Sequence, residues 1–421
     1  MKHEQSIAGE LGGSEAQQAA SSVPAGGLTP AMTLLLAVAA GLSVANIYFV
    51  QPLLDAVARE FRVSAEAIGI VVTVTQLGYA AGLILIVPLG DFFNRRRMVA
   101  GQGFLSVAAL LLAALAPSLP LLLGALVVVG LLAVAVQVLV AFAATLAGPG
   151  GGGRAVGKVT SGIVIGILLA RFISGALADM GGWRSVYLAS AAAMLVMSAL
   201  LLRVLPDEAK TERPSSYPAL LRSMLLLFVE EPLLRVRALL ALLIFAAFSI
   251  FWTSMVLPLS APPLSLSSTQ VGLFGLIGIA GSLAAGSAGR LADEGRGQRT
   301  TGMALAVLLL AWLPLSFLDL SLLWLMVGVV LLDLAVQAVH VTNQSMLFAV
   351  RPEARSRIVG GYMVFYSIGS GLGAISSTTA YGHAGWAGVC TLGAAVSLLA
   401  WGFWLATRRL GQGPSPAASE A

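Results

Sequence analysis

Residues 119–147 read LPLLLGALVVVGLLAVAVQVLVAFAATLA, a run without a single charge and with Gln137 as its one amide. A helix rises about 1.5 Å per residue and the hydrocarbon core of a bilayer is about 30 Å thick, so about 20 mostly apolar residues cross it. The run is long enough, and it is apolar on every face. A barrel strand would instead alternate apolar and polar residues over about 10 positions. In lipid the backbone must satisfy itself within the segment, which makes this stretch a membrane-spanning helix.

The rest of the chain agrees. Of its 421 residues 58% are hydrophobic and only 10% are charged, against about 25% charged in soluble domains. So few charges cannot form the skin of a water-soluble protein of this length. That excludes a soluble enzyme, a nucleic-acid-binding module and a disordered chain, although the formal net charge is +5. A single cysteine, Cys390, excludes an intrachain disulfide and a cysteine-based metal cluster.

Twelve apolar stretches meet the length requirement, approximately 32–54, 67–89, 98–116, 119–147, 157–178, 184–205, 236–258, 270–291, 300–318, 321–349, 358–381 and 384–407. Alternating the side of each connection places 20 of the 24 Lys and Arg on the side of both termini. By the positive-inside rule both ends are then cytoplasmic. The expected architecture is all-α and integral to the membrane, with residues 1–29 a disordered polar tail rather than a cleaved signal and 410–421 a second tail. A six-helix bundle over 30–205 and another over 236–409 are joined by a cytoplasmic linker, 206–235. The linker holds an amphipathic piece, Tyr217 to Val229, suited to the inner membrane surface.

An internal repeat divides the chain. GRAVGKVTSGIVIG, 153–166, aligns with SRIVGGYMVFYSIG, 356–369, and the 203-residue offset pairs Arg154 with Arg357, Gly166 with Gly369, Gly182 with Gly385 and Trp183 with Trp386. Gly78 and Gly281 keep it, and Asp91 and Asp293 are 202 apart. Halves of six helices point the same way through the membrane, as a parallel repeat about the membrane normal requires.

With these features the sequence resembles the major facilitator superfamily along essentially its whole length. GDFFNRRR, 90–97, is similar to the family's inner-loop motif, an Asp at a helix end followed by a basic run, and GRLADEGRGQR, 289–299, is its repeat. The family's opening Gly is here Val87 and its later Gly is Asn94. The resemblance implies an inner-gate latch for Asp91 and Arg95, and for Asp293 and Arg296. The alternative is a plain anchor obeying the positive-inside rule, with Arg95 to Arg97 holding the loop at the anionic lipid surface. NIYFVQPLL (46–54), QLGYAAGLILIVPLGD (76–91), SGIVIGILLARFISG (161–175) and LLDLAVQAVHVTNQ (331–344) look most like the twelve-helix efflux-permease subgroup, related to drug and sugar efflux members. Ile167 stands where proton antiporters of the family place Pro, so that helix does not imply antiport.

Polar side chains inside spans are costly in lipid and mark candidate sites. Asp333, Gln337, His340 and Gln344 recur at i, i+4, i+7 and i+11 on one face of span ten, with Asn343 beside it. Asp333 lies near mid-bilayer, and it and His340 can exchange protons as access alternates; the alternative is a static hydrogen-bonded network. Arg171 in span five needs an acid, with Asp333 giving a charge switch in the cavity and Asp55 an outer-gate bridge, or else it snorkels without a transport role. The expected proton-coupling set is Asp333, His340 and Arg171. The expected substrate cavity is lined by Asn46, Gln51, Gln76, Gln137, Trp252, Gln337, Tyr362 and Tyr366, with apolar walls suited to a small amphipathic or weakly polar molecule. Gln137 and His340 are repeat equivalents, 203 apart. Phe245, Phe248 and Trp252 form an aromatic stripe that serves equally as packing. Glycines in spans two, five, eight and eleven, such as Gly78, Gly82, Gly369 and Gly373, permit close helix approach, and these four helices are expected to form the sliding seam between halves.

GPGGGG at 148–153 lacks the preceding strand and the following GK[ST] of a phosphate loop. His3, His340 and His383 are not spaced as metal ligands, so no metal, cofactor or catalytic residue is expected. The expectation is a non-enzymatic secondary transporter of a bacterial plasma membrane, monomeric, which exports a small-molecule substrate coupled to protons and whose other partner is the lipid bilayer, with no nucleic acid. A proton-coupled importer is the nearer alternative, and a membrane sensor the more distant one.

Overall fold

The computed structural model describes residues 28–148, 151–207, 216–284, 286–348 and 354–409. Residues 1–27 of the first tail, all of the second and part of the 206–235 linker lie outside the described residues, as do the side chains of Asp91 and Asp293. Among the described residues there is no strand. Helices α1 (Pro30–Tyr48), α2 (Leu54–Phe61), α3 (Ile70–Leu85), α4 (Arg95–Ala114), α5 (Leu119–Ala133), α6 (Ala135–Leu146), α7 (Gly152–Gly181) and α8 (Trp183–Val204) make up the first half. The helix α9 (Tyr217–Glu230) follows, and then α10 (Pro232–Ser254), α11 (Val256–Ser260), α12 (Ser268–Ala284), α13 (Gly286–Leu291), α14 (Gly297–Leu315), α15 (Leu322–Phe348) and α16 (Arg355–Thr407).

Among the described residues nine helical stretches are long and apolar enough to cross a bilayer, and two shorter apolar helices, Ile70–Leu85 and Ser268–Gly281, join them. The last of the nine, Arg357–Thr407, is 51 residues long, longer than one crossing needs. It breaks at Ala384 and Gly385, where Gly385 takes φ +59°. Gly182 ends α7 with φ +76°, 203 residues earlier in the chain. Both repeats therefore turn on a residue that only glycine supplies without a Cβ clash. Pro52 interrupts α1 and α2 with a tight turn, Gln51–Leu53, because proline cannot donate the helical bond at that position.

The repeat extends to packing. A Cβ on Gly78 would lie 2.2 Å from the Val127 carbonyl oxygen, and one on Gly281 would lie 2.4 Å from that of Val330; Val127 and Val330 are again 203 apart. Gly82 meets Leu131, Gly369 meets Leu242 and Gly373 meets Ala246 in the same way. As expected, each of these glycines lets two helices approach within backbone contact, here two helices of one half.

The seam itself runs where α3 meets α16 and where α7 meets α12, and other glycines make it. Gly175 abuts the Ser268 carbonyl at 2.2 Å, Gly272 that of Arg171 at 2.4 Å, and Gly69 that of Ala374 at 2.6 Å, each measured from an added Cβ. The carboxylate of Asp179 on α7 accepts from the backbone N–H groups of Ser268 (3.1 Å) and Thr269 (2.8 Å) at the start of α12. Thr378 on α16 donates to the Glu66 carbonyl at 3.0 Å. One end of the seam is thereby closed. Toward the other end α7 is exposed at Arg154, Gly157, Lys158, Thr160, Ser161 and Ile165, which lie on more than one helical face.

Candidate functional site

Arg171 sits midway along the seam and is 2% exposed. Its Nε donates to Gln51 Oε1 at 2.7 Å, a partner brought into reach by the Pro52 turn. Its guanidinium carbon lies 3.9 Å from the ring centroid of Trp252, with Phe248 and Tyr48 at 5.5 and 5.3 Å. The Trp252 indole N–H donates to Asp333 Oδ1 at 3.1 Å. A cation from the first half and an acid from the second thus address one indole, the cation at its face and the acid at its edge. Gly278 makes room for Asp333: an added Cβ there would fall 2.0 Å from Oδ2. Gln51, Pro52, Arg171 and Trp252 also border a small void with Met255, Val256 and Val271.

Neither acid expected for Arg171 touches it. Among the described residues Arg171 makes no ion pair within 4.0 Å, and Asp55 instead pairs with Arg59 one helical turn on, at 2.8 Å. The reason is local: Asp55 and Arg59 share a face of α2, while Arg171 and Asp333 each take Trp252 as a partner, one at the ring face and one at the indole N–H.

His340 lies in a second cluster. Its Nδ1 is 2.9 Å from the Tyr362 hydroxyl, and its ring stands edge to face with Phe245, centroids 5.1 Å apart. Tyr366 packs on Phe245, and its hydroxyl meets that of Tyr48, so α16 and α1 are joined across the seam. Asn343 donates to Tyr362 at 3.5 Å and accepts from Arg237 at 3.0 Å. Arg237 also donates to Thr301 at 3.1 Å.

Arg237 is a site residue that the sequence does not single out: it is one of the 20 Lys and Arg assigned above to the side of both termini. Arg237 is 1% exposed. A signal was present: Arg237, Ala241, Phe245, Phe248 and Trp252 repeat at i, i+4, i+8, i+11 and i+15 of α10, one inward face of a helix.

The remaining expected residues are spread across the site. Asn46 turns into the first half, accepting from Ser190 at 2.5 Å. Gln137 donates to Tyr79 at 3.2 Å, also within that half. Gln76 is buried against the seam beside Gly371, and Gln337 is half-buried on the face between Asp333 and His340. In the loop motif, Arg95 donates to Thr145 at 2.7 Å. Asn94 and Arg96 both reach Asp207, each at 3.1 Å. Arg296 pairs with exposed Glu294 at 3.7 Å. Among the described residues no cluster of His, Cys, Asp or Glu could hold a metal ion.

Residues 36–348 match the family model described as Major Facilitator Superfamily. The chain belongs to that superfamily. It is 46% identical over 372 residues to the Uncharacterized transporter YgaY of Escherichia coli O157:H7, covering 88% of this chain and 94% of that protein. It is 32% identical to Probable transporter SCO4007 of Streptomyces coelicolor, over 90% and 88% of the two chains. Among solved structures, a bacterial homolog of the human lysosomal transporter Spinster, in an inward-facing and unoccupied conformation, superposes with a TM-score of 0.72 at 15% identity, covering 91% of this chain and 98% of that one. The nucleoside transporter NupG gives 0.72 at 14%, over 90% and 99%. At such identities these two speak for the superfamily fold. The family and the transporter-named relatives make this chain a multi-pass membrane transporter rather than an enzyme.

Proposed function

We propose that this transporter exports a small molecule, a drug, sugar or metabolite, by alternating access coupled to proton movement, as a monomer in a bacterial plasma membrane. Twelve segments cross: the nine long stretches, the two shorter apolar helices, and one more from the break of α16 at Gly385. Both termini then lie in the cytoplasm, the closed end of the seam faces out, and the exposed end of α7 opens inward. Bundles at 30–205 and 236–409 rock about the seam, and the 206–235 linker joins them. In this reading Asp91, Arg95, Asp293 and Arg296 gate the inner side.

The observation that carries the proposal is the placement of Arg171 and Asp333 on opposite halves, both buried, against the face and the edge of Trp252. Burying opposite charges without direct pairing is expensive, and such residues in a membrane interior are retained for ion or substrate pathways. A carboxyl there gains or loses its proton as the halves part, and His340 and Gln337 continue the polar face toward the open end.

The test is flux in proteoliposomes under an imposed pH gradient, screening sugars, amino acids and amphipathic drugs. Outward substrate movement driven by proton entry, abolished in Asp333→Asn and reduced in Arg171→Ala, supports the proposal. Coupled flux unchanged in both variants refutes the site, and co-directional movement of proton and substrate refutes export.

A further inference from the structure

The hydrogen bonds around Tyr362 have only one consistent direction. Arg237 is a donor only, and it meets the Oδ1 of Asn343 at 3.0 Å, so the carbonyl of that amide faces α10. Its amino group therefore faces the Tyr362 hydroxyl, 3.5 Å away, and an amide nitrogen accepts nothing. Tyr362 is fully buried. Its hydroxyl proton must go to an acceptor, and the atom at 2.9 Å is His340 Nδ1. Were Nδ1 the protonated nitrogen, both neighbours would donate to the phenol oxygen and leave its own proton buried without a partner, which is unfavourable.

We propose that Arg237 is a positioning residue which, through Asn343 and Tyr362, holds neutral His340 with its ring proton on Nε2. The nitrogen not engaged by Tyr362 is then a hydrogen-bond donor. The chain of donors begins at a cation in the second half and ends at the imidazole, with each step fixed by the one before. The significance of this tautomer for coupling rests on the function proposed above, whereas the tautomer itself is a property of the resting protein.

The chain contains three histidines, His3, His340 and His383, so nitrogen-15 NMR of selectively labelled full-length protein in lipid bilayers resolves them, with His340→Asn assigning the signal. The expected wild-type result is an unprotonated Nδ1 and a protonated Nε2 at neutral pH. Asn343→Asp is the decisive variant, because it is nearly isosteric and keeps Arg237 paired. Its carboxylate takes the Tyr362 proton, the phenol oxygen turns to the imidazole, and the ring proton moves to Nδ1. Arg237→Met is expected to give a mixture of the two tautomers, and Arg237→Lys to restore the wild-type one. A protonated Nδ1 in the wild type, or an unchanged tautomer in Asn343→Asp, overturns the relay. A wild-type tautomer in Arg237→Met removes Arg237 from it; should that variant not fold, Asn343→Asp alone decides. Because no transport is measured, a failed relay leaves the flux experiment standing, and failed flux leaves the relay standing.

Discussion

Arg171 holds its guanidinium 3.9 Å from the centroid of the Trp252 ring while the N–H at the edge of the same indole donates to Asp333, so one aromatic side chain serves two opposite charges. The arrangement assigns two different interactions to one side chain, and substitutions separate them. Trp252→Phe keeps a face for the guanidinium and removes the donor to a buried carboxylate, a loss of about 1–3 kcal/mol. Trp252→Ala removes both and leaves a cavity, which costs about 3–5 kcal/mol. Thermal unfolding in detergent should rank the midpoints wild type, then Phe, then Ala. Equal midpoints for wild type and Trp252→Phe would mean that the indole N–H does not hold Asp333.

The two kinds of glycine should respond differently to a methyl group. Gly78→Ala and Gly281→Ala force α3 from α5 and α12 from α15 inside their own halves, so both should lower the yield of folded protein. Gly175→Ala and Gly272→Ala press on the seam instead, against the carbonyls of Ser268 and Arg171. These should fold and shift the population away from the closed arrangement, read as faster thiol labelling of probes placed at that end in a Cys390→Ser background. If the seam variants are as poorly folded as Gly78→Ala, the distinction is wrong.

The fold was legible because lipid permits so few solutions: uncharged runs the length of 119–147 become helices, and the 203-residue echo returns in the Gly182 and Gly385 breaks and in the Gly78 and Gly281 contacts. The polar face Asp333, Gln337 and His340 was legible too, since helical spacing alone sets it. The partners were not. The i, i+4 spacing of Asp55 and Arg59 allows their pair, but it does not say that Arg59 outcompetes Arg171 across the seam. Arg237 looked like one more inner-surface charge because charge counting weighs position along the chain, while burial depends on which helices arrive from 64 and 106 residues away, at Thr301 and Asn343. Glycine content pointed to the four helices that meet across the seam, but not to which of their glycines face the other half.

At the loop after α3, Arg96 and Asp207 differ in worth although they form one ion pair. Their side chains are 24% and 53% exposed, and exposed pairs contribute about 0.2–1 kcal/mol. Asp207→Ala should therefore lower stability only slightly. Arg96 also donates to the Leu202 carbonyl, so Arg96→Ala strips a partner from the end of α8 and should be clearly the more destabilising of the two. Chemical denaturation in mixed micelles gives the comparison, and a reversed order would show that the loop is held by charge alone.

Asp179 supplies the sharpest prediction about conformation. Its carboxylate caps α12 from the opposite half, so the cap exists only while this end is closed. A cap is worth about 0.5–2 kcal/mol, and a negative charge at a helix N-terminus adds about 0.3–1 kcal/mol. Every 1.4 kcal/mol is tenfold in an equilibrium, so Asp179→Ala should move the closed-to-open ratio by about tenfold toward open. Asp179→Asn keeps an acceptor and loses the charge, and should fall between. Spin labels at Met180 and Gln270, both exposed and on opposite halves, report the distance in a Cys390→Ser background. The expected distribution gains a longer component in the order wild type, Asn, Ala; identical distributions for wild type and Asp179→Ala would show that the seam is held by its glycine contacts and not by this carboxylate.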